Sequence, residues 1–452
     1  MIFLRLRPMN RKKIVLINPP AFGLKDLLAY PPLGLLYLAA NVEVNHQISV
    51  LNMAKGDERI ESGADIYGIS IHSVSTYGEA KKVIDKIRRQ EKEALIVVGG
   101  AFPTPTSMAE FTLKNTPTDI VVRSEGEITF SEIVQGRPYG KIRGISYRRG
   151  GTIFHNPPQR LIEDLDTIEF PARHLLPREQ IVHKGEVHHS NRPATTIFAT
   201  RGCPWSCNYC QKDIWTRKWR SRSPENIKEE VEQVKEDYGV RWFRFPDDNV
   251  TVRKDWFLGF CKVLRDAQVE WTFLSRSDTI DLEMLKAAKN SGCQEIFFGF
   301  ESGSQRMLEL MGRKNTVEQN VKAIEMCRQV GVKSCAYMMF GFPGENQESV
   351  RETMAFLKEV RPDKARLSTF IPIPGTDVWA NPKKYGVRIK PNFEDFWYFD
   401  DPDTGELYLF GLEYDYLKGG NKQMDKLRRK MIEFFREEDY IGGWTKVKEK
   451  SA

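Results

Sequence analysis

Residues 195–210 read Thr-Thr-Ile-Phe-Ala-Thr-Arg-Gly-Cys-Pro-Trp-Ser-Cys-Asn-Tyr-Cys. The β-branched and aromatic run at 195–200 predicts a strand, and Cys203, Cys207 and Cys210 follow it at once. Three of the seven cysteines thus share one short loop, while Cys261, Cys293, Cys327 and Cys335 are scattered singly. A structural zinc site needs four ligands, and no other Cys or His stands within ten residues on either side, His189 and Cys261 being nearest. Three thiolates suit a different group. They hold three irons of a cubane cluster and leave the fourth open to a small molecule. The four scattered cysteines fit buried, hydrophobic roles, so one cluster is expected.

Downstream, the strand opens a βα series. Strands are predicted at 242–246, 271–276, 295–300, 333–340 and 364–370, separated by helical patterns at 224–238, 255–267, 281–291, 317–330 and 347–360. Six such units fall short of the full eight-unit barrel of about 250 residues and predict a partial (β/α)6 barrel, whose site lies at the strand carboxyl ends. The cysteine loop stands at the first of those ends.

Upstream, strands are predicted at 13–17, 48–51, 66–70, 95–99 and 120–122, with an amphipathic helix at Tyr77–Arg89. This alternation predicts a doubly wound parallel sheet, with one reduced crossover between the second and third strands. Its carboxyl edge carries Asn18-Pro19-Pro20, Ser70-Ile71-His72, Gly99-Gly100 and Arg123–Glu127. The expected organisation is a sheet domain over 12–136, a linker over 137–193 containing a hairpin, a barrel over 194–380 and a small C-terminal region over 381–452. In that last region Phe396–Phe399 is aromatic and Met424–Glu438 predicts a helix.

Composition narrows the function classes. The chain has 452 residues, 68 basic and 61 acidic, so its charge of +7 is too dilute to mark a nucleic-acid partner or a polybasic membrane surface. The longest apolar stretch, Leu33–Ala40, falls short of the ~20 residues of a membrane span. The N-terminus lacks the apolar core of a secretion signal, and an odd cysteine count does not suggest a disulfide framework, so a cytoplasmic protein is expected.

The C-x3-C-x2-C spacing, with an aromatic residue before the last cysteine and six βα units around it, resembles the radical S-adenosylmethionine (SAM) family over residues 195–380. The resemblance implies one 4Fe–4S cluster on Cys203, Cys207 and Cys210, with SAM on the open iron. It also implies SAM contacts: Tyr209 near the adenine, Asp247 and Asp248 at the ammonium, Arg276 at the carboxylate, and Glu301 at the ribose hydroxyls within Gly299-Phe-Glu-Ser302-Gly303. Gly341-Phe-Pro-Gly-Glu345 and Pro372-Ile-Pro374-Gly-Thr376 match the loops that flank adenine.

The preceding sheet is similar to the cobalamin-binding domain of B12-dependent radical SAM enzymes. This implies cobalamin contacts at Ser70, His72, Gly99, Gly100 and Glu125. The Asp-x-His-x-x-Gly motif that carries a cobalt ligand in other cobalamin domains is missing after the first strand, and Ala101-Phe102 replaces a frequent Pro-His. His72 is therefore read as a polar or tail-contacting residue before a cobalt ligand.

Together the resemblances imply methylation of an unactivated carbon of an unknown organic substrate, with a one-electron reductant of flavodoxin or ferredoxin type. They assign no catalytic acid or base. A radical SAM cyclase, oxidative or rearrangement enzyme without methyl transfer is the alternative, and a non-catalytic iron–sulfur protein is the rival from another class. A methylthiotransferase is disfavoured because the N-terminal half holds no cysteine for a second cluster.

Overall fold

The computed structural model describes residues 11–20, 30–53, 58–185, 190–391, 393–394 and 412–442. They form two compact units. The first runs to His183 and takes in Asp213–Trp215 and Phe393 with Glu394; the second holds the remainder.

In the first unit, β1 (Lys13–Asn18), β2 (Gln47–Asn52), β3 (Ile66–Ser70), β4 (Leu95–Gly99) and β5 (Ile120–Val122) pair in parallel in the order β2-β1-β3-β4-β5. The Ile, Val and Leu residues of β1, β3 and β5 and Ile96–Val98 of β4 are buried, as parallel strands covered on both faces require, while the edge strand β2 is half-buried. The order reverses at β1 and β3, and ligands of such sheets bind outside the carboxyl ends at that point. Asn18 and Ser70 end the two flanking strands. The helices are α1 (Leu33–Ala40), α2 (Tyr77–Gln90), α3 (Thr106–Asn115) and α4 (Glu127–Val134). α2 buries Ala80, Val83, Ile84 and Ile87, the stripe read from the sequence. The described residues 58–65 between β2 and β3 carry no helix.

The hairpin expected inside a linker belongs to this sheet instead. β6 (Ile145–Arg149) pairs antiparallel with β5, and β7 (Thr152–His155) with β6. Ile145 and Tyr147 give the hairpin an apolar face that the sheet buries, and pairing also covers the open edge of β5.

The second unit is built on a sheet ordered β19-β16-β15-β14-β13-β12-β9-β8: β8 (His183–Gly185), β9 (Ser190–Thr196), β12 (Trp242–Phe245), β13 (Glu270–Ser275), β14 (Cys293–Glu301), β15 (Lys333–Phe340), β16 (Lys364–Thr369) and β19 (Ile441–Gly442). Its end strands do not pair with each other, so this is the expected partial barrel. Between strands run α5 (Pro224–Tyr238), α6 (Lys254–Asp266), α7 (Leu282–Asn290), α8 (Gln305–Leu310), α9 (Val317–Val330) and α10 (Gln347–Val360), with α11 (Asp377–Ala380) beyond β16. Sequence sets the helix starts: Ser223 Oγ accepts from Asn226 N ahead of Pro224, and Thr316 and Asn346 cap α9 and α10. Phe260, Trp271 and Phe273 pack α6 against β13 with ring centroids 5.0–5.2 Å apart.

The first barrel strand stops earlier than expected. β9 ends at Thr196, and β10 (Thr200–Arg201) pairs antiparallel with β11 (Arg220–Ser221). The buried Asp247 carboxylate draws Ala199 N and Thr200 N out of the sheet by accepting from both.

β17 (Val387–Ile389) pairs with β18 (Leu412–Tyr414), and α12 (Gly420–Glu437) buries Met424, Leu427, Met431, Phe434 and Phe435. The aromatic run at 396–399 lies outside the described residues. No described helix is long and apolar enough to cross a membrane.

Candidate active site

β10 and β11 close the cysteine loop at its base. Cys203 N donates to Thr216 O at 3.4 Å, and Cys210 N to Cys207 O at 3.2 Å. The loop's other anchor is Asn208. Its backbone N donates to Met311 O at 2.8 Å, its carbonyl accepts from Val378 N at 3.3 Å, and its Nδ2 donates to Leu310 O at 2.9 Å. One residue is thus bonded to the turn after α8 and to α11. Gly312 makes this approach feasible: it sits at φ +68°, and a Cβ there would lie 2.8 Å from Asn208 Oδ1.

All seven cysteines are free thiols. Among the described residues no three His, Cys, Asp or Glu side chains converge as ligands of one metal ion. The donor set itself, three thiols on a loop pinned at both ends, fits a multi-iron cluster whose ligands bind separate irons. One sulfur has a side-chain donor: Arg276 Nη1 donates to Cys207 Sγ at 3.7 Å, while Cys210 Sγ itself donates to Gln211 O at 3.9 Å. Burial pushes the Cys203 and Cys210 thiols up, and Lys212 pulls both down.

Arg276 does not present an open fork. Asp278 takes its Nε and Nη2, both at 2.8 Å, and Trp205 covers the guanidinium face at 4.6 Å. The expected SAM carboxylate would have to displace Asp278.

Sequence reasoning missed Arg313. Its Nη1 donates to Tyr209 Oη at 2.8 Å and to Glu301 Oε1 at 3.2 Å, its Nε donates to Asn315 Oδ1 at 2.9 Å, and its Nη2 donates to Gly299 O. This brings together Tyr209 and Glu301, two of the predicted contacts. A bulge in the β14–β15 pairing and a left-handed φ of +66° re-aim Glu301 at the strand end. Burial pushes its carboxyl up while Arg313 opposes the shift.

Other predicted residues serve inside the fold. Asp247 Oδ1 receives Ala199 N at 2.9 Å and Thr200 Oγ1 at 2.8 Å, and burial raises its pKa to about 7. Asp248 instead reaches Lys212 at 3.7 Å. Ser302 Oγ bonds Thr353 Oγ1 of α10 at 3.1 Å. Glu345 accepts from Gly341 N at 3.3 Å and Ser349 Oγ at 2.5 Å, and Tyr414 Oη donates to Gly341 O at 2.6 Å, so the C-terminal strand braces this loop. Pro374 is buried beside Thr376, whose Oγ1 closes the turn on Ile373 O at 2.7 Å.

At the edge of the first sheet, Ser70 pairs in register with Gly99. Gly100 sits at φ +108°, where a Cβ would lie 2.5 Å from Ile71 O, so only glycine lets the chain turn there. The His72 side chain is exposed just past β3. Glu125 is buried and accepts from Ile162 N at 2.9 Å. Ser124 Oγ donates to Ile214 O at 2.7 Å, four residues beyond Cys210.

A family model of the radical SAM superfamily matches residues 197–357, and one of the B12 binding domain matches 23–134. An uncharacterized methyltransferase of Pyrococcus horikoshii is 31% identical over 390 residues, covering 82% of this chain and 83% of that protein. An anaerobic magnesium-protoporphyrin IX monomethyl ester cyclase of Rubrivivax gelatinosus is 27% identical, covering 84% and 72%. The radical SAM methyltransferase TsrM from Kitasatospora setae, solved with cobalamin and a 4Fe–4S cluster, shares the fold with a TM-score of 0.66 at 17% identity, covering 84% and 80%.

Proposed function

The chain belongs to the cobalamin-dependent radical SAM enzymes, and from that premise we propose that it transfers a methyl group to an unactivated carbon of an organic substrate. The observation that carries methyl transfer is the 31% identity to a methyltransferase across 83% of that protein's length. The site geometry supports the same reading.

Cys203, Cys207 and Cys210 would hold the cluster, SAM would take its open iron, and Ser70, His72, Gly99 and Gly100 would line the cobalamin edge. When bound, the cluster supplies one electron to cleave SAM to methionine and a 5′-deoxyadenosyl radical, and cobalamin carries the methyl group. The chain's own residues bind and orient. Arg313 holds Tyr209 and Glu301 in one fixed geometry, so that Glu301 offers carboxylate oxygens to a ribose diol and Tyr209, with Phe342 at 6.1 Å, an aromatic wall to adenine. Asp248, whose Oδ2 faces Lys212 at 3.7 Å, would accept from the SAM ammonium through its other oxygen. The Gly341 and Pro374 turns bring backbone near the base. Asp247, Ser302, Glu345 and Glu125 act as braces for the loops that do this.

The electron comes from a low-potential donor of flavodoxin or ferredoxin type, and the free thiols suit the reducing cytosol. A nucleic-acid partner is not expected at a charge of +7 over 452 residues. The family match takes in the cysteines and the ends of β12, β13, β14 and β15, which argues against the non-catalytic reading.

Ring closure without methyl transfer is the second reading, favoured by the cyclase relative. Comparing metabolites from cells with and without the gene, fed methionine deuterated on its methyl group, separates the two. A product bearing the labelled methyl is expected; a product changed only in hydrogen count would replace the methyltransferase reading with the cyclase one.

A further inference from the structure

We propose that Arg276, by donating a hydrogen bond to the Cys207 sulfur, and Lys212, by its charge beside Cys203 and Cys210, set the reduction potential of the cluster, instead of Arg276 binding the SAM carboxylate. The proposal rests on the reading of Cys203, Cys207 and Cys210 as cluster ligands. Three observations carry it.

First, Arg276 is locked. Its side chain is 7% exposed, Asp278 occupies two of its nitrogens and the Trp205 ring covers one face. The remaining nitrogen, Nη1, is 3.7 Å from Cys207 Sγ. Second, a further cation stands beside the cysteine loop. Lys212, two residues beyond Cys210, is 15% exposed, its charge acts on both Cys203 and Cys210, and a carboxylate, Asp248, lies at 3.7 Å from it. Third, each cation is paired with its own carboxylate, Arg276 with Asp278 and Lys212 with Asp248, so both charges are held close to the cysteine loop.

The physical consequence follows from charge. Three thiolates on a cluster make an anionic group, and reduction adds one electron, taken from an external low-potential donor, with no proton. A cation at a ligand sulfur stabilises the more negative state more than the less negative one, and does so strongly where water is excluded. Both cations therefore raise the potential and ease reduction by that donor. An Arg276 whose fork is already filled has little left for a second carboxylate.

The test uses the full chain, reconstituted anaerobically with iron and sulfide and titrated with dithionite while the reduced cluster is followed by electron paramagnetic resonance. In Arg276→Gln the reduced-to-oxidised ratio at a fixed solution potential is expected to fall roughly tenfold, equivalent to about 59 mV for one electron. Lys212→Gln, which leaves the Asp278 clamp intact, is expected to shift the same way. Iron content and the affinity for SAM, measured by equilibrium dialysis, should change less than threefold. An unchanged ratio in both variants, with lost SAM affinity in Arg276→Gln, would return Arg276 to the SAM carboxylate and overturn the proposal. Loss of the cluster from both variants would make the two residues assembly elements and would equally overturn it. If the unsubstituted chain assembles no cluster, or Cys203→Ala keeps one, the underlying ligand assignment fails, and that result is visible before any Arg276 or Lys212 variant is measured.

Discussion

Arg313 spends its guanidinium nitrogens on Tyr209, Glu301, Asn315 and the Gly299 carbonyl, which come from the cysteine loop, β14 and its own turn. Removing one partner of such a buried pair leaves an uncompensated charge at a cost of about 3–5 kcal/mol. Arg313→Met should therefore lower the denaturation midpoint clearly and weaken SAM binding at least tenfold, and Arg313→Lys, which keeps the charge but not the fork, should fall between. Dialysis and anaerobic denaturation check both; unaltered SAM affinity in Arg313→Met would detach this residue from the site. The sequence showed the three cysteines because their ligand chemistry sits in one short spacing. It hid Arg313 because Tyr209 lies 104 positions away and Gly-Arg-Lys-Asn reads as an ordinary turn. Asp247, Ser302 and Glu345 were singled out on local motifs, and the fold turns all three toward its own backbone and hydroxyl groups, a direction that motif spacing does not encode.

At the scale of elements, the cysteine loop is positioned by its neighbours as much as by its own sequence. Gly312→Ala would push a methyl group against Asn208 and strain a left-handed backbone. The expected outcome is unchanged far-ultraviolet circular dichroism with cluster iron reduced by at least half after reconstitution. Full iron loading would show that the loop does not depend on this anchor. The Gly341–Glu345 loop has a pH signature. Burial raises the Glu345 carboxyl from 4.5 to about 7. The unfolded chain ionises first as pH rises, so the folded state loses stability across pH 4.5–7, by up to about 3 kcal/mol from this group, and no further above it. Asp247, also raised to about 7, acts in an overlapping window. Denaturation followed from pH 5 to pH 8 should show falling stability, with a shallower slope in Glu345→Gln; an equal slope would place the dependence elsewhere. Strands and helices were legible from their periodicities, including the short first-sheet strands and α2. The hairpin at 145–155 was legible as a hairpin, but its partner was not, because an edge strand carries no local mark of the strand it will pair with.

At the scale of the molecule, one chain unites a 2-1-3-4-5 parallel sheet, extended by a hairpin, and a partial barrel whose sheet has eight strands. This division was readable from the alternation of patterns, whereas the sheet unit's true extent, to His183, was not, because the proline-punctuated segment after residue 155 looks like a connector until its burial is seen. The central claim is that both units serve one methyl transfer from SAM. Its most direct test is to incubate the purified chain anaerobically, loaded with cluster and cobalamin, with methyl-deuterated SAM, dithionite and a small-molecule extract of its own cells. The account predicts that S-adenosylhomocysteine and 5′-deoxyadenosine both form, that a product acquires the labelled methyl group on carbon, and that all three depend on Cys203, Cys207 and Cys210. Formation of 5′-deoxyadenosine alone, with no S-adenosylhomocysteine and no labelled product, would contradict it.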